Sequence, residues 1–230
     1  MLETDDPLAI PLWINGHAYL TMAPIFLDVR NPASGQVLRR TPLCGAGEAH
    51  KAVEAAQAAL PQWGAQTSVA RAALLAALAD ALAGYAGHFA KLIVEETGKD
   101  AALAAAEVSA AVALLRDVPA VNVSGVAAIV SDDADPLLGA LSRAIPALFA
   151  GATVVIKPSP KAPAALFALA ELTARNGFPD GVFNILQGDE AAVAGLCTSS
   201  AVNILLFAGN AALGGRVADI ARRHGKAFEA

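Results

Sequence analysis

The spacing of apolar positions changes character twice along the chain. Between residues 11 and 41 short apolar runs are bounded by turn residues. Leu12-Trp13-Ile14 meets Asn15-Gly16, a type I′ hairpin signal. Ile25-Phe26-Leu27-Asp28-Val29 leads through Arg30 to the turn Asn31-Pro32-Ala33-Ser34-Gly35, then to strand-like Gln36-Val37-Leu38. From Gly45 to Arg116 the period is helical, with Val53, Ala56, Leu60 and then Leu74, Leu78, Leu82 forming stripes. The spacing predicts helices at about 46–62, 68–84, 86–97 and 101–116, with Ser68 as an N-cap and Gly98 as a C-terminal stop. After Val118 continuous apolar runs at 125–130, 153–157, 182–186 and 202–207 alternate with helical stretches at 136–150, 162–175, 189–197 and 211–223. A last short strand is expected at Lys226 to Glu229. That alternation describes an α/β domain, a doubly wound parallel five-stranded sheet with helices on both faces. The expected division is an extended arm over 1–42, a helical segment over 45–117 and a parallel α/β core over 122–230.

Composition narrows the class. The chain has 230 residues, 56% hydrophobic and 16% charged, and 56 of them are alanine. Such apolarity excludes disorder, and two cysteines exclude a disulfide framework. With 16 basic against 21 acidic groups, a nucleic-acid surface is not expected. The longest uncharged stretch, Ala191 to Gly215, has the length of a membrane span. Its Thr198, Ser199, Ser200, Asn203 and Asn210, with Gly209 and Gly214, instead predict helix, turn, strand, turn, helix. Glu3, Asp5 and Asp6 have the wrong sign for a secretory signal. The expectation is a cytoplasmic protein with no membrane partner.

Ligands of doubly wound sheets bind at the carboxyl ends of the strands, so four strand-to-helix turns carry the candidate chemistry. Ser131-Asp132-Asp133-Ala134-Asp135-Pro136 has three carboxylates and no glycine. It reads as a solvated acidic turn that repels a pyrophosphate, and its spacing is not that of a calcium loop. No metal is expected. Lys157-Pro158-Ser159-Pro160-Lys161 places a lysine and a hydroxyl beyond a strand, suited to a ribose or phosphate; the plainer reading is a proline-stiffened turn with solvated lysines. Gln187-Gly188-Asp189-Glu190 has one glycine and two acids. Phe207-Ala208-Gly209-Asn210 opens a helix with free amides that favour an anion, while Gly215 stands where a P-loop needs lysine, which removes the NTPase reading.

Nucleophiles are poorly supported. Cys44 and Cys197 lie among apolar residues without a histidine nearby in sequence, and both read as inert. His17, His50, His88 and His224 show no metal-ligand spacing.

Five segments in order now carry a resemblance. Asn31-Pro32-Ala33-Ser34-Gly35-Gln36-Val37, Glu96-Thr97-Gly98-Lys99, Gly151-Ala152-Thr153-Val154-Val155-Ile156-Lys157-Pro158-Ser159, Gly177-Phe178-Pro179-Asp180-Gly181-Val182-Phe183-Asn184 and Phe207-Ala208-Gly209-Asn210 together resemble the NAD(P)-dependent aldehyde dehydrogenase superfamily. The resemblance covers that family's N-terminal, nucleotide-binding half and implies a Rossmann-like sheet. It implies cofactor contacts at Lys157, Ser159, Gly188, Gly209 and Asn210. Glu229 resembles the family's general-base glutamate, but the Glu-Leu-Gly-Gly signature does not follow it and no candidate for the catalytic cysteine exists. Without a thiolate there is no thiohemiacetal from which hydride could leave.

Other positions depart from the family. The oxyanion asparagine of its Pro-Trp-Asn-Phe-Pro turn falls on Ala134, which has no donor. A ribose-holding glutamate is replaced by Pro160, a second glycine by Glu190, and the serine of Phe-Thr-Gly-Ser by Asn210. The connection from Arg116 to Gly125 is short where the family carries part of an oligomerisation hairpin. The expectation is a non-catalytic aldehyde-dehydrogenase-like subunit, with no catalytic residue intact, Glu229 vestigial, and NAD(P) bound weakly or not at all. A homo-oligomer or heteromeric protein partner is expected, because the composition leaves much apolar surface to cover. The alternative is the NAD(P)-binding half of a split dehydrogenase, completed in trans by a cysteine-bearing chain.

Overall fold

The computed structural model describes residues 7–230; Glu3, Asp5, Asp6 and the start of the arm lie outside the described residues. β1 (Leu12–Ile14) and β2 (His17–Tyr19) form a hairpin closed by Asn15 and Gly16, at φ 55° and 79°. A type I′ turn, with two left-handed residues, matches the twist of the flanking strands, and Asn-Gly is a pair that adopts it at little cost. β3 (Phe26–Arg30) and β4 (Val37–Pro42) pair antiparallel as a separate two-stranded sheet. Four helices follow: α1 (Ala46–Gly64), α2 (Ser68–Gly84), α3 (Ala86–Thr97) and α4 (Ala101–Arg116). The cap of α2 is Thr67, whose hydroxyl accepts from Ala70 N at 3.2 Å, rather than Ser68. Thr67 has the extended backbone a cap needs, and Ser68 is already helical. Left-handed Gly98 ends α3.

The remaining chain alternates β5 (Val126–Ser131), α5 (Leu138–Ala150), β6 (Thr153–Lys157), α6 (Ala164–Arg175), β7 (Phe183–Ile185), α7 (Glu190–Thr198), β8 (Val202–Ala208), α8 (Ala211–Arg223) and β9 (Ala227–Glu229). The uncharged stretch from Ala191 to Gly215 thus divides into helix, strand and helix. Among the described residues no single helix is long and apolar enough to cross a membrane; α2 and α3 together are, but they bend by 71°. The strands order as β2-β1-β7-β6-β5-β8-β9. From β7 to β9 every pairing is parallel, and β1 adds antiparallel at the β7 edge, with Trp13 opposite Ile185.

Strand parity divides the core. Ala127, Ile129, Val154 and Ile156 face α2 to α6, whereas Val126, Ala128, Val130 and Val155 face α1, α7 and α8. All eight side chains are at most 1% exposed, as a sheet covered on both faces requires. The arm meets this core unevenly. Trp13 and Ile14 are buried against the chain's own sheet edge, while Leu20, Met22 and Ile25 stay exposed.

Two helices of the core have no cap of their own. At α5 the amides of Leu137 and Leu138 donate to Glu107 Oε1 from α4, at 2.9 and 3.1 Å. At α6 the amide of Ala164 donates to Glu96 Oε2 from α3, at 3.0 Å. Each buried carboxylate reaches across from another helix to satisfy amides that a local Ser or Asp normally takes.

Candidate functional site

The parallel strands run β7-β6-β5-β8-β9, so the chain steps outward from β5 to β6 and β7 and then returns past β5 to β8 and β9, reversing the winding between β5 and β8. A crevice opens beyond the carboxyl ends at such a reversal. It is a cleft of about 340 Å³ lined by Lys157 and Ser159 after β6, Asp132 and Asp133 after β5, Asp189 and Glu190 at α7, and Asn210 at α8. Gly188 borders it through its carbonyl, which accepts from Lys157 Nζ at 3.0 Å. Gly209 lies on the far side of the α8 turn and faces two neighbouring cavities. Lys157, Ser159 and Asn210 are thus brought together, with the two glycines as their supports.

Lys157 is 5% exposed, so the reading of both lysines as solvated holds for Lys161 and fails for Lys157. The strand continues through Lys157 and turns its side chain inward, opposite Val130 of β5. Burial pushes its pKa down to about 8, with Asp189 and Glu190 pulling the other way. The Ser159 hydroxyl accepts from Lys161 N at 3.3 Å, bracing the turn. Gly188 has φ 144°, and a Cβ there would lie 2.6 Å from Ala192 Cβ and 3.1 Å from the Cys44 carbonyl oxygen. No larger residue fits that approach of chain to chain.

The acidic turn after β5, expected to be solvated, is so only in part. Asp133 and Asp135 are partly or fully exposed, but Asp132 is 4% exposed. Its Oδ2 accepts from Asn210 N at 2.7 Å and from Asn210 Nδ2 at 2.9 Å, and its Oδ1 accepts from Ala134 N at 3.0 Å. Three N–H donors replace the lost water, which is why the carboxylate tolerates burial. Asp135 pairs with Lys99 at 2.7 Å and Glu190 with Arg216 at 3.0 Å, so two acids of the rim carry partners. Asp189 caps α7, accepting from Ala191 N at 2.9 Å.

Ala134 borders a second cavity of about 360 Å³, with Ser142, Arg143 and Gly209. Arg143 Nε donates to the Phe207 carbonyl at 3.0 Å, and its Nη1 lies 3.4 Å from Glu229 Oε1. Glu229, in β9, is largely exposed and points its carboxylate at that guanidinium. Neither cysteine enters these cavities. Both are buried; burial and then Glu48 push Cys44 up to about 12, and burial raises Cys197. They remain thiols at neutral pH, without nucleophilic character. Among the described residues no group of three or more His, Cys, Asp or Glu side chains could hold a metal ion.

Residue types alone did not single out Glu107, which orders the start of α5 beneath Ala134. A signal was present: Ala104, Glu107, Val108, Ala111 and Leu115 share one buried helical stripe, and a carboxylate on an apolar stripe needs a partner. Glu96 likewise sits on the stripe of Phe89 and Ile93.

A parallel sheet reversed at β5, with a lysine, a hydroxyl and a helix N-terminus around the crevice, defines a domain of the dinucleotide-binding class. Residues 22–122 and 120–230 match the Aldehyde dehydrogenase family, and the chain belongs to it. It is 34% identical over 211 residues to the NADP(+) succinate-semialdehyde dehydrogenase of Escherichia coli (strain K12), covering 82% of this chain and 44% of that protein. A glutarate-semialdehyde dehydrogenase of Pseudomonas aeruginosa is 33% identical with the same coverage. The solved lactaldehyde dehydrogenase of Escherichia coli superposes with a TM-score of 0.89 at 27% identity, over 97% of this chain and 52% of that one. An aldehyde dehydrogenase of Pseudomonas syringae, complexed with NAD+ and octanal, superposes at 0.83 with 26% identity, over 95% of this chain and 49% of that one. The chain spans about half the length of the relatives it matches.

Proposed function

We propose that this chain is a non-catalytic aldehyde-dehydrogenase-like subunit, serving assembly or regulation, with NAD(P) bound weakly or not at all. The observation that carries this is Ala134. Its methyl group borders the cavity beside Gly209 and Arg143, at the position where the family resemblance places an oxyanion-binding asparagine. An oxyanion donor contributes about 3–4 kcal/mol to acyl transfer, and a methyl group contributes none of it. Four carboxylates, Asp132, Asp133, Asp189 and Glu190, line the cofactor cleft against three cations, Lys157, Lys161 and Arg216. That balance disfavours a pyrophosphate.

An assembly role is supported by the arm, where Leu20, Met22 and Ile25 are 77%, 98% and 61% exposed within six residues. Single exposed apolar residues are ordinary; a run of them marks a contact surface. The partner is a second copy or a heteromeric chain, with an interface on the order of 1,000 Å² or more.

Calorimetric titration with NAD and NADP tests the cofactor reading, and the dissociation constant is expected no tighter than about 1 mM, near 4 kcal/mol. An aldehyde panel with either cofactor should give no enzyme-dependent rise of reduced nicotinamide. Micromolar binding would overturn the reading. It would favour the alternative that Lys157 and Ser159 support, an NAD(P)-binding half completed in trans by a cysteine-bearing chain. Light scattering at micromolar concentration tests assembly, and a monodisperse 23.2 kDa monomer from cell extracts as well as in pure form would exclude it.

A further inference from the structure

The first turn of α8 has an internal occupant. Asn210 caps the helix, its Oδ1 accepting from Leu213 N at 3.0 Å. The backbone amide of Asn210 itself, and its side-chain amide, point outward to Asp132 Oδ2. The carboxylate lies flush against the turn: a Cβ at Gly209 would come within 2.6 Å of both Asp132 Cγ and Oδ2. Arg216, the cation that α8 itself brings to the cleft, pairs with Glu190. The counter-charge of Asp132 is therefore made of N–H dipoles and the positive end of α8, the same features that attract an exogenous anion.

We propose that Asp132 is a tethered anion, filling from within the chain the seat that α8 would otherwise offer to a phosphate, and so restricting the cleft to ligands without phosphate at that position. This deepens the reading of the cleft as a degraded cofactor site and rests on it. A second anion arriving at α8 meets a carboxylate that is already bonded to the donors it needs. It gains neither amide of Asn210 and is repelled by the carboxylate at short range. Lys157 and Ser159 also line the cleft and carry N–H and O–H donors suited to hydroxyl groups. The restriction is one of ligand class, decided by a single side chain.

Titration of AMP, NAD and adenosine into the wild-type chain and into Asp132→Asn, Asp133→Asn and Asn210→Gly tests this, with circular dichroism melts confirming that each is folded. Asp132→Asn keeps an acceptor for Ala134 and removes the charge. AMP and NAD should bind it at least about tenfold more tightly than wild type, equivalent to 1.4 kcal/mol, with adenosine unchanged. Asp133→Asn removes an equal charge without the tether and should change AMP binding less than about threefold. Equal gains from both aspartates would reduce the effect to general charge and overturn the proposal, as would adenosine tightening in parallel or no gain for AMP. If Asp132→Asn does not fold, Asn210→Gly decides, because it removes one of the two Asn210 tethers. A gain for AMP of about two- to fivefold supports the proposal, and none overturns it. Micromolar NAD binding by the wild type would overturn the proposed function, whereas failure of the variants alone leaves that reading standing.

Discussion

The starts of α5 and α6 solve one problem in two ways. Each helix follows a turn of the candidate site, lacks its own side-chain cap, and is capped by a buried glutamate from the preceding helical segment. Glu107 accepts two backbone amides and pairs with Lys99 Nζ at 2.6 Å. Glu96 accepts one amide, and Arg39 Nη1 lies 3.2 Å from its Oε1 without the alignment of a hydrogen bond. Burial therefore prevails at Glu96 and pushes its pKa up to about 7, against the pull of Arg39 and the Ala164 amide. Similar side chains in similar places thus accept from different numbers of donors. The comparison also shows α5 anchored from α4, by Glu107, rather than by a side-chain cap within its own turn.

The sharpest way to break this comparison is Glu107→Ala. It leaves two amides and the Lys99 ammonium without their buried acceptor, and should cost about 3–5 kcal/mol in urea denaturation. Glu96→Ala should cost less, since it releases one amide; a cost equal to that of Glu107→Ala would show that donor number is not what separates the two sites. A difference in pH dependence sharpens the contrast. The folded pKa of Glu96 lies above its ordinary value of 4.5, so between about pH 4.5 and 7 the native state binds more protons than the unfolded state. Stability from this group is thus present below pH 4.5 and is lost as pH rises to 7. Relative to Glu96→Gln, the wild type should lose about 2–3 kcal/mol across that window. A flat difference would show that Arg39 and the Ala164 amide offset the effect of burial at Glu96. The smallest effect belongs to Asp135→Ala. Its bridge to Lys99 is exposed on the aspartate side, and its loss should cost less than about 1 kcal/mol, because water and Glu107 still serve the ammonium.

Much of the architecture was legible because it is local. The four helices from Ala46 to Arg116 follow from their apolar stripes and the stop at Gly98, with the cap of α2 expected one residue late, at Ser68 instead of Thr67, and the strands of the parallel sheet are continuous apolar runs. The family resemblance grouped Lys157, Ser159, Gly188, Gly209 and Asn210 as cofactor contacts; Lys157, Ser159 and Asn210 line one cleft, whereas Gly188 borders it through its carbonyl and Gly209 faces two neighbouring cavities. What escaped was non-local. Whether Asp132 is solvated depends on Asn210, 78 positions later, and whether Lys157 is buried depends on the carbonyl of Gly188, 31 positions later. The edge that receives β1 was likewise invisible, since any exposed strand could have taken it.

That edge pairing has a consequence in time. Asn15 N donates to Asn184 Oδ1 at 3.1 Å, a contact spanning 169 positions. At the usual pace of synthesis, Asn184 follows Asn15 by roughly 10–30 s, far longer than a hairpin takes to form. For that interval Trp13 and Ile14 have no sheet to join, and the β1–β2 hairpin alone is marginal in water. The first strand of the chain must therefore be among the last to dock, after β7 has been laid beside β6. The newborn chain spends those seconds with Trp13 and Ile14 in search of a neighbour, its own or another's.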